Sequence, residues 1–464
     1  MSSEWPTVQL SDCAEFQEGY VNPSQRNSDF FGGPIKWLRA VDLNDSVVSD
    51  TTRTLSEKGF RSAGKSALLF EPGSLAISKS GTIGRLGILE DYMCGNRAVI
   101  NIRVNHSICD KHYIFYVLKS KRAEIESLAT GSVQKNLYTS VLGSMELDLP
   151  PLETQTAIAS QLWSLDKKIQ LNHQINQTLE QMAQAIFKSW FVDFDPVKAK
   201  IAALEAGGSE EDALLAAMQA VSGKGEAELT RLQTEQPEQY AELRATTELF
   251  PSAMQDSELG EIPEGWNPST VGHEFDVTMG QSPPGDTYNE EGDGEPFFQG
   301  RRDFGERFPS NRVYCSGPKR MANEGDTLLS VRAPVGDTNI AIMNCCIGRG
   351  LAALRHKSGC SSYTYYSIIQ LGQALSSYDS EGTVFGSINQ KNLRAIPVVA
   401  PAPDALIAFK RAVGPVDHLI KVNSKEAATL SDTRDTLLPK LLSGELSVST
   451  ADGRLAKPED AANV

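Results

Sequence analysis

The stretch that decides the fold is "LETQTAIASQLWSLDKKIQLNHQINQTLEQMAQAIFKSW" (152–190). Counting in alternate steps of four and three from 158 gives Ile158, Leu162, Leu165, Ile169, Asn172, Asn176, Leu179, Ala183, Ile186 and Trp190. An unbroken 4-3 spacing of apolar and small residues is the seam of a coiled coil. From about 152 to 192 the spacing predicts one helix, roughly 60 Å long at the α-helical rise. Adding 251 to each position gives a second seam: Phe409, Val413, Val416, Ile420, Asn423, Ala427, Leu430, Arg434, Leu437 and Leu441. Asn172 and Asn423 fall at the same seam position. A polar residue there lowers stability and sets register. Gly414-Pro415 is expected to kink or restart the second helix. Two seams of matching length favour pairing with each other.

The offset between the helices runs through the whole chain. "EPGSLAISKSGTIG" (71–84) resembles "NEGDTLLSVRAPVG" (323–336), and Ser78/Ser330, Gly84/Gly336, Cys94/Cys346 and Arg97/Arg349 all differ by 252. Trp5/Trp266 and Gly19/Gly280 differ by 261, and Gly131/Gly382 and Pro150/Pro401 by 251. A period this long marks a duplicated domain, since solenoid repeats run about 20–50 residues. Before each seam lie short apolar runs punctuated by Gly, Pro, Asn and Asp: "SALLF", "SLAIS", "LGILE" and "AVINIRV", then "DTLLSV", "TNIAIM" and "GLAAL". These read as strands. Pro-rich breaks ("LPPLE" at 149–153, "APAPD" at 400–404) precede each helix. The fold class is therefore α+β, with two tandem β-rich domains, each followed by a long helix. The expected boundaries are a first domain over 1–151, a long helix over 152–195 and an acidic, partly helical linker over 196–265. A second domain follows over 266–402, then a second long helix over 403–446 and a flexible tail over 447–464.

Composition narrows the function. The chain has 464 residues, 40% apolar and 22% charged, with a net charge of −15. Segment 196–265 holds 5 basic and 14 acidic side chains, whereas 1–150 holds 16 and 17. An arginine-lined face elsewhere is thus compatible with the acidic total. No apolar run reaches the roughly 18 residues of a membrane span. The beginning "MSSEWPTVQL" lacks a secretory pattern, so a cytoplasmic location is expected. Seven cysteines, none in a C-x-x-C pair, read as free thiols, and no cysteine or histidine set has zinc spacing.

Two motifs mimic catalytic ones. "GFRSAGKS" (59–66) matches a phosphate-binding loop, but polar residues precede it and Pro72-Gly73 ends any following helix. "SPPG" (282–285) resembles the turn with which amino-methyltransferases hold a flipped adenine, but Gly285 stands where an aromatic belongs. Neither supports a catalytic site in this chain.

A family resemblance rests on "SGTIG", "GSVQKNLYTSVLGSMELDLPPLETQTAIA", "LDKKIQLNHQINQTLEQMAQAIFKSWFVDF", "LGEIPEGW", "GTVFGSINQ" and "RDTLLPKLLSGEL". Together they resemble the specificity subunit of type I restriction-modification enzymes over nearly the whole chain, least well at 20–55 and 281–320. The resemblance implies two target-recognition domains, each reading one half of a split double-stranded DNA site. It implies that the two helices pair antiparallel and act as a ruler between the domains. Two modification subunits that methylate adenine at N6 would dock on them, and restriction subunits can join. Under this reading the chain carries no cofactor, and S-adenosylmethionine, Mg and ATP belong to partner subunits.

Reading DNA requires cations and hydroxyls for phosphates, and Arg, Lys, Asn or Gln for base edges. The candidates in the first half are Lys79, Ser80, Thr82, Arg85 and Arg97. In the second they are Arg301, Arg302, Arg307, Lys319, Arg320 and Arg332. Each is otherwise a solvated surface group. The helix-pairing candidates are Ile158, Leu162, Leu165, Ile169, Asn172, Leu179 and Ile186 with Val413, Val416, Ile420, Asn423, Leu430 and Leu437. The competing reading is a coiled-coil scaffold without DNA sequence specificity. A self-sufficient methyltransferase is disfavoured by the missing catalytic motifs.

Overall fold

The computed structural model describes residues 5–131, 135–332, 334–372, 374–375, 377, 386–448 and 455–456. Parts of "GSVQKNL" and "GTVFGSINQ", Gly382 among them, and most of the expected tail lie outside the described residues. The chain divides into two compact units, residues 1–173 with 425–464, and residues 174–424.

In the first unit the central sheet orders Ala14–Glu18, Val99–Val104, Leu75–Ser78, Leu86–Leu89 and Ser46–Val48. The pairs are antiparallel except the last, which is parallel. The inner strands Leu75–Ser78 and Leu86–Leu89 are buried along their whole length, which is why they read as continuous apolar runs. Helix Lys111–Ser120 packs on this sheet through Tyr113, Phe115 and Tyr116. The Asp110 carboxylate starts it by accepting from His112 N at 2.8 Å and Tyr113 N at 3.0 Å. The "SALLF" run is not a strand. Leu68 and Leu69 are exposed, and only Phe70 forms a bridge, to Met93.

The second unit repeats the plan. Phe275–Met279, Leu351–His356, Thr327–Val331 and Val335–Ile340 form an antiparallel sheet in the equivalent order. Helix Ser361–Gln370 packs on it through Tyr363, Tyr365 and Tyr366. In each unit a strand pair closes the domain just before its long helix: Thr7–Gln9 with Glu146–Asp148, and Asn267–Thr270 with Pro397–Ala400.

The acidic stretch read as a linker is folded. It holds helices Asp195–Glu205, Glu210–Ser222, Glu226–Glu235 and Pro237–Glu248, then a hairpin of Met254–Ser257 with Gly260–Pro263. Val197 and Phe250 join the main core of the second unit. Buried Lys200 donates its Nζ to the Phe250 carbonyl at 2.5 Å.

The long helices are Leu152–Phe191 and Pro403–Leu442, 40 residues each. The second does not restart at Gly414-Pro415. Pro415 and Arg411, whose carbonyl loses its helical donor, are both solvent-exposed. Val413 and Ile420 on the other face are buried and hold the helix through that point.

Candidate nucleic-acid interface

In the second unit, strand Glu295–Phe298 runs parallel to Cys345–Ile347 and ends just before Gln299. The buried Asp303 carboxylate then accepts from Gln299 N at 2.7 Å and closes a single 3-10 turn, Arg301–Asp303. With the aspartate turned inward, Arg301 and Arg302 face outward, their side chains 60% and 66% exposed. The turn forms one wall of an open cleft of about 1010 Å³. The hairpin loop with Arg332, Gly336 and Asp337 forms another, and Tyr365 with Ile369 completes the lining. Gly336 has φ 113°, a conformation open to glycine. Ser330 Oγ ties the loop by donating to the Pro334 carbonyl at 2.7 Å. Arg301 is ion-paired with Asp337. The cleft thus brings together three expected contacts, Arg301, Arg302 and Arg332. Lys319 and Arg320 are exposed but do not line it.

Arg307 is not available to DNA. Its side chain is only 6% exposed and is ion-paired with Glu180 and Asp417, one from each long helix. Tyr366 Oη lies 3.0 Å away, and the Tyr365 ring lies 4.7 Å below the guanidinium. A buried cation needs such partners, and here they come from protein carboxylates. Nothing in the local sequence distinguishes Arg307 from its exposed neighbours, because both carboxylates lie far away in the chain.

The first unit builds the same loop. Ser78 Oγ accepts from Arg85 N at 2.9 Å and donates to the Thr82 carbonyl, while Gly81 (φ 78°) and Gly84 (φ 84°) make the turn. Beside it lies a hollow of about 630 Å³ lined by Thr82, Ile83, Arg85, Arg122, Glu126 and Lys135. Thr82 and Arg85 are exposed there. Arg122 and Lys135 were not among the expected contacts: Arg122 stands in no motif, and Lys135 lies in the quoted "GSVQKNL" stretch, whose spacing does not show that it faces a hollow. Arg122 Nε donates to the Gly84 carbonyl at 3.1 Å and pairs with Asp45. Ser80 bridges to Asn136, as Arg332 does to Ser387 in the other unit. Lys79 is half-buried and paired with Glu18 at 2.7 Å, so its charge is taken up within the protein. Arg97 is exposed and outside the hollow.

Within each unit the long helices run antiparallel. In the first, Asn172 donates to Glu426 at 2.9 Å and Arg434 pairs with Asp166 at 2.5 Å. In the second, Asn423 donates to Asn176 at 3.0 Å, Asn176 donates to Ser424 at 3.0 Å, and Phe187 packs on Phe409. Asn172 and Asn423 therefore do not face each other. They are equivalent by duplication, and antiparallel pairing gives equivalent residues different partners. Ile158, Leu162, Val413 and Ile420 are fully buried, and Asn172 and Asn423 nearly so. Leu165, Ile169, Leu179, Ile186, Val416, Leu430 and Leu437 are partly buried. At the end of the first helix the buried stripe moves one residue past Ile186, to Phe187 and Trp190.

"GFRSAGKS" forms a short helix, Glu57–Arg61, and a 3-10 turn, Gly64–Ser66, with no strand-to-helix cradle for phosphates. Cys345 and Cys346 are buried, and burial pushes the Cys345 thiol up to about 12. Among the described residues no group of three or more His, Cys, Asp and Glu could hold a metal, and no helix is long and apolar enough to cross a membrane.

Comparison with known proteins agrees with this architecture. Residues 2–181 match the family model described as the type I restriction modification DNA specificity domain. The chain is 31% identical over 387 residues to the type I restriction enzyme HindI specificity subunit of Haemophilus influenzae, covering 77% of this chain and 82% of that one. It is 23% identical over 465 residues to the type I restriction enzyme MjaIX specificity subunit of Methanocaldococcus jannaschii, covering 96% and 94%. The crystal structure of the S subunit of the type I restriction-modification system from M. genitalium shares the fold, with a TM-score of 0.54 at 15% identity over 94% of this chain and 96% of that one. The chain belongs to the specificity subunits of type I restriction-modification systems, which set DNA sequence specificity and are not themselves catalytic.

Proposed function

We propose that this subunit reads a split, asymmetric DNA site, one half with each recognition domain. In this reading the long helices dock two modification subunits that methylate adenine at N6, and restriction subunits join them. S-adenosylmethionine, Mg and ATP are then held by the partners, and the assembled complex acts in the cytoplasm.

The observation that carries the reading is that each domain sets basic side chains around an open hollow beside the duplicated serine-tied hairpin loop, although the residues that line the two hollows are not equivalent. Arg85, Arg122 and Lys135 surround one hollow, and Arg301, Arg302 and Arg332 the other. Guanidinium groups there suit phosphates and the acceptor edge of guanine. Two such recesses on one chain suit two half-sites.

Bound to its modification subunits, the chain should prefer a duplex carrying its site over a scrambled one by about 10³-fold or more at physiological salt. Equal affinity for both would return the chain to the scaffold reading.

A further inference from the structure

The two halves share a further construction, just after the parallel strand of the smaller sheet. Leu38 is paired with Gly95 in the first half, and Phe298 with Ile347 in the second. Each strand runs into a 3-10 turn, Ala40–Asp42 or Arg301–Asp303. Each turn is closed by its last residue. Asp42 Oδ2 accepts from Arg39 N at 2.8 Å, as Asp303 Oδ2 accepts from Gln299 N at 2.7 Å. Both aspartates are buried, with side chains 1% and 5% exposed. The next residue is apolar and turned inward, Leu43 or Phe304.

Both turns are then fastened to the hairpin that carries the recess loop. Asp45 N donates to the Leu86 carbonyl at 2.8 Å, and Leu86 N donates back to Asp45 Oδ1 at 2.9 Å. Gly305 N donates to Asn339 Oδ1, and Asn339 Nδ2 donates back to the Gly305 carbonyl, both at 3.1 Å. The inward residues and the fastening are alike, whereas the outward residues differ. They are Ala40 and Val41 in one half, Arg301 and Arg302 in the other, and Val41 is 65% exposed. One frame with two different tips is what reading two different half-sites requires.

We propose that this turn is the base-reading element of each recognition domain. Val41 makes apolar contact with the C5-methyl of a thymine. Arg302 presents paired donors to O6 and N7 of a guanine. Arg302 is the freer of the two arginines, because Arg301 is paired with Asp337 and the Asp303 oxygen 3.8 Å from Arg302 is already paired with Arg312. The assignment rests on the DNA-recognition reading above.

The test uses the full chain with its own modification subunits in the source cell. Methylated adenines are mapped genome-wide for the unaltered chain, Val41→Ser and Arg302→Ala. Val41→Ser should lose preference at one T·A position of one half-site. Arg302→Ala should lose preference at one G·C position of the other by about 10–100-fold, whereas loss of the Val41 methyl contact should cost about 4-fold. Val41→Thr and Arg302→Lys, which keep a methyl and a cation, should retain it. An unchanged motif in both variants, or relaxation of the same half-site by both, overturns the assignment. So does loss of all methylation that the conservative variants do not restore. If the unaltered chain directs no methylation, the recognition reading itself fails instead.

Discussion

Replacing Arg307 by Met removes the one cation between Glu180 and Asp417 while keeping similar bulk. Two carboxylates, with side chains 27% and 19% exposed, are then left together beside Tyr366. Breaking a buried pair by removing one partner costs about 3–5 kcal/mol. For a cooperative unit of this size, at about 2 °C per kcal/mol, that is a fall in Tm of about 6–10 °C. The loss should depend on pH. Burial already pushes Glu180 above the ordinary carboxylate range, against the downward pull of Arg307. Without Arg307 its folded pKa rises further. A carboxyl whose folded pKa exceeds its unfolded value costs stability fully above the folded value. That cost fades as pH falls towards the unfolded value of about 4.3. The deficit should therefore be larger at pH 8 than at pH 5. Adding Glu180→Leu and Asp417→Leu should recover most of it, since an apolar replacement of a whole buried ionic cluster is often neutral or stabilising. Scanning calorimetry at the two pH values reads both effects. A deficit below about 1 kcal/mol, the ordinary worth of a surface pair, or one that grows on acidification, would refute the reasoning.

Asn176→Leu with Asn423→Leu should leave stability unchanged or raise it by up to about 1 kcal/mol, because the two amides leave together and Ser424, which loses the Asn176 donor, keeps the Ile420 carbonyl as its partner. It should also broaden the methylated motif as register loosens, and melting curves with methylation maps check both. In the first unit, Tyr116 Oη donates to Asp166 at 2.5 Å, and Arg434 holds the other oxygen. Tyr116→Phe should cost about 1.5–3 kcal/mol in urea unfolding, and Asp166→Asn more. The chain should bind no ATP at millimolar concentration by titration calorimetry, and Lys65→Ala should change nothing, because the 59–66 stretch has no phosphate cradle.

The long helices and the duplicated strands were legible because burial leaves a periodic mark. Ile158 and Leu162 repeat at helical spacing, and "SLAIS" and "LGILE" are apolar because both faces are covered. Partner choice leaves no such mark. Asn172 and Asn423 match by duplication, but which residue lies across from each depends on an antiparallel register absent from either segment. Likewise Arg307 and Arg302 look alike five residues apart. One is enclosed by carboxylates 127 and 110 positions away, and the other stands on an outward turn. The equivalence of Ala40-Val41 with Arg301-Arg302 was hidden because their side chains have nothing in common. The structure reveals it through the parallel strand before each turn, the buried aspartate that closes it and the fastening to the hairpin after it.

Asp166 and Asp417 extend the duplication into the anchoring of the domains. Each stands at the same place in its long helix and takes part in a cluster with an equivalent tyrosine, Tyr116 or Tyr366. The cation differs, being Arg434 from the other long helix in one unit and Arg307 from the loop after the Arg301–Asp303 turn in the second. The acidic group is thus repeated in both units while the cation that meets it comes from a different element in each.

In the proposed reading, one chain holds two DNA readers. The most direct test maps N6-methyladenine across the source genome with and without this gene. Loss of one split motif with two different half-sites is the predicted result. An unchanged methylation map, with the modification subunits expressed, would contradict it.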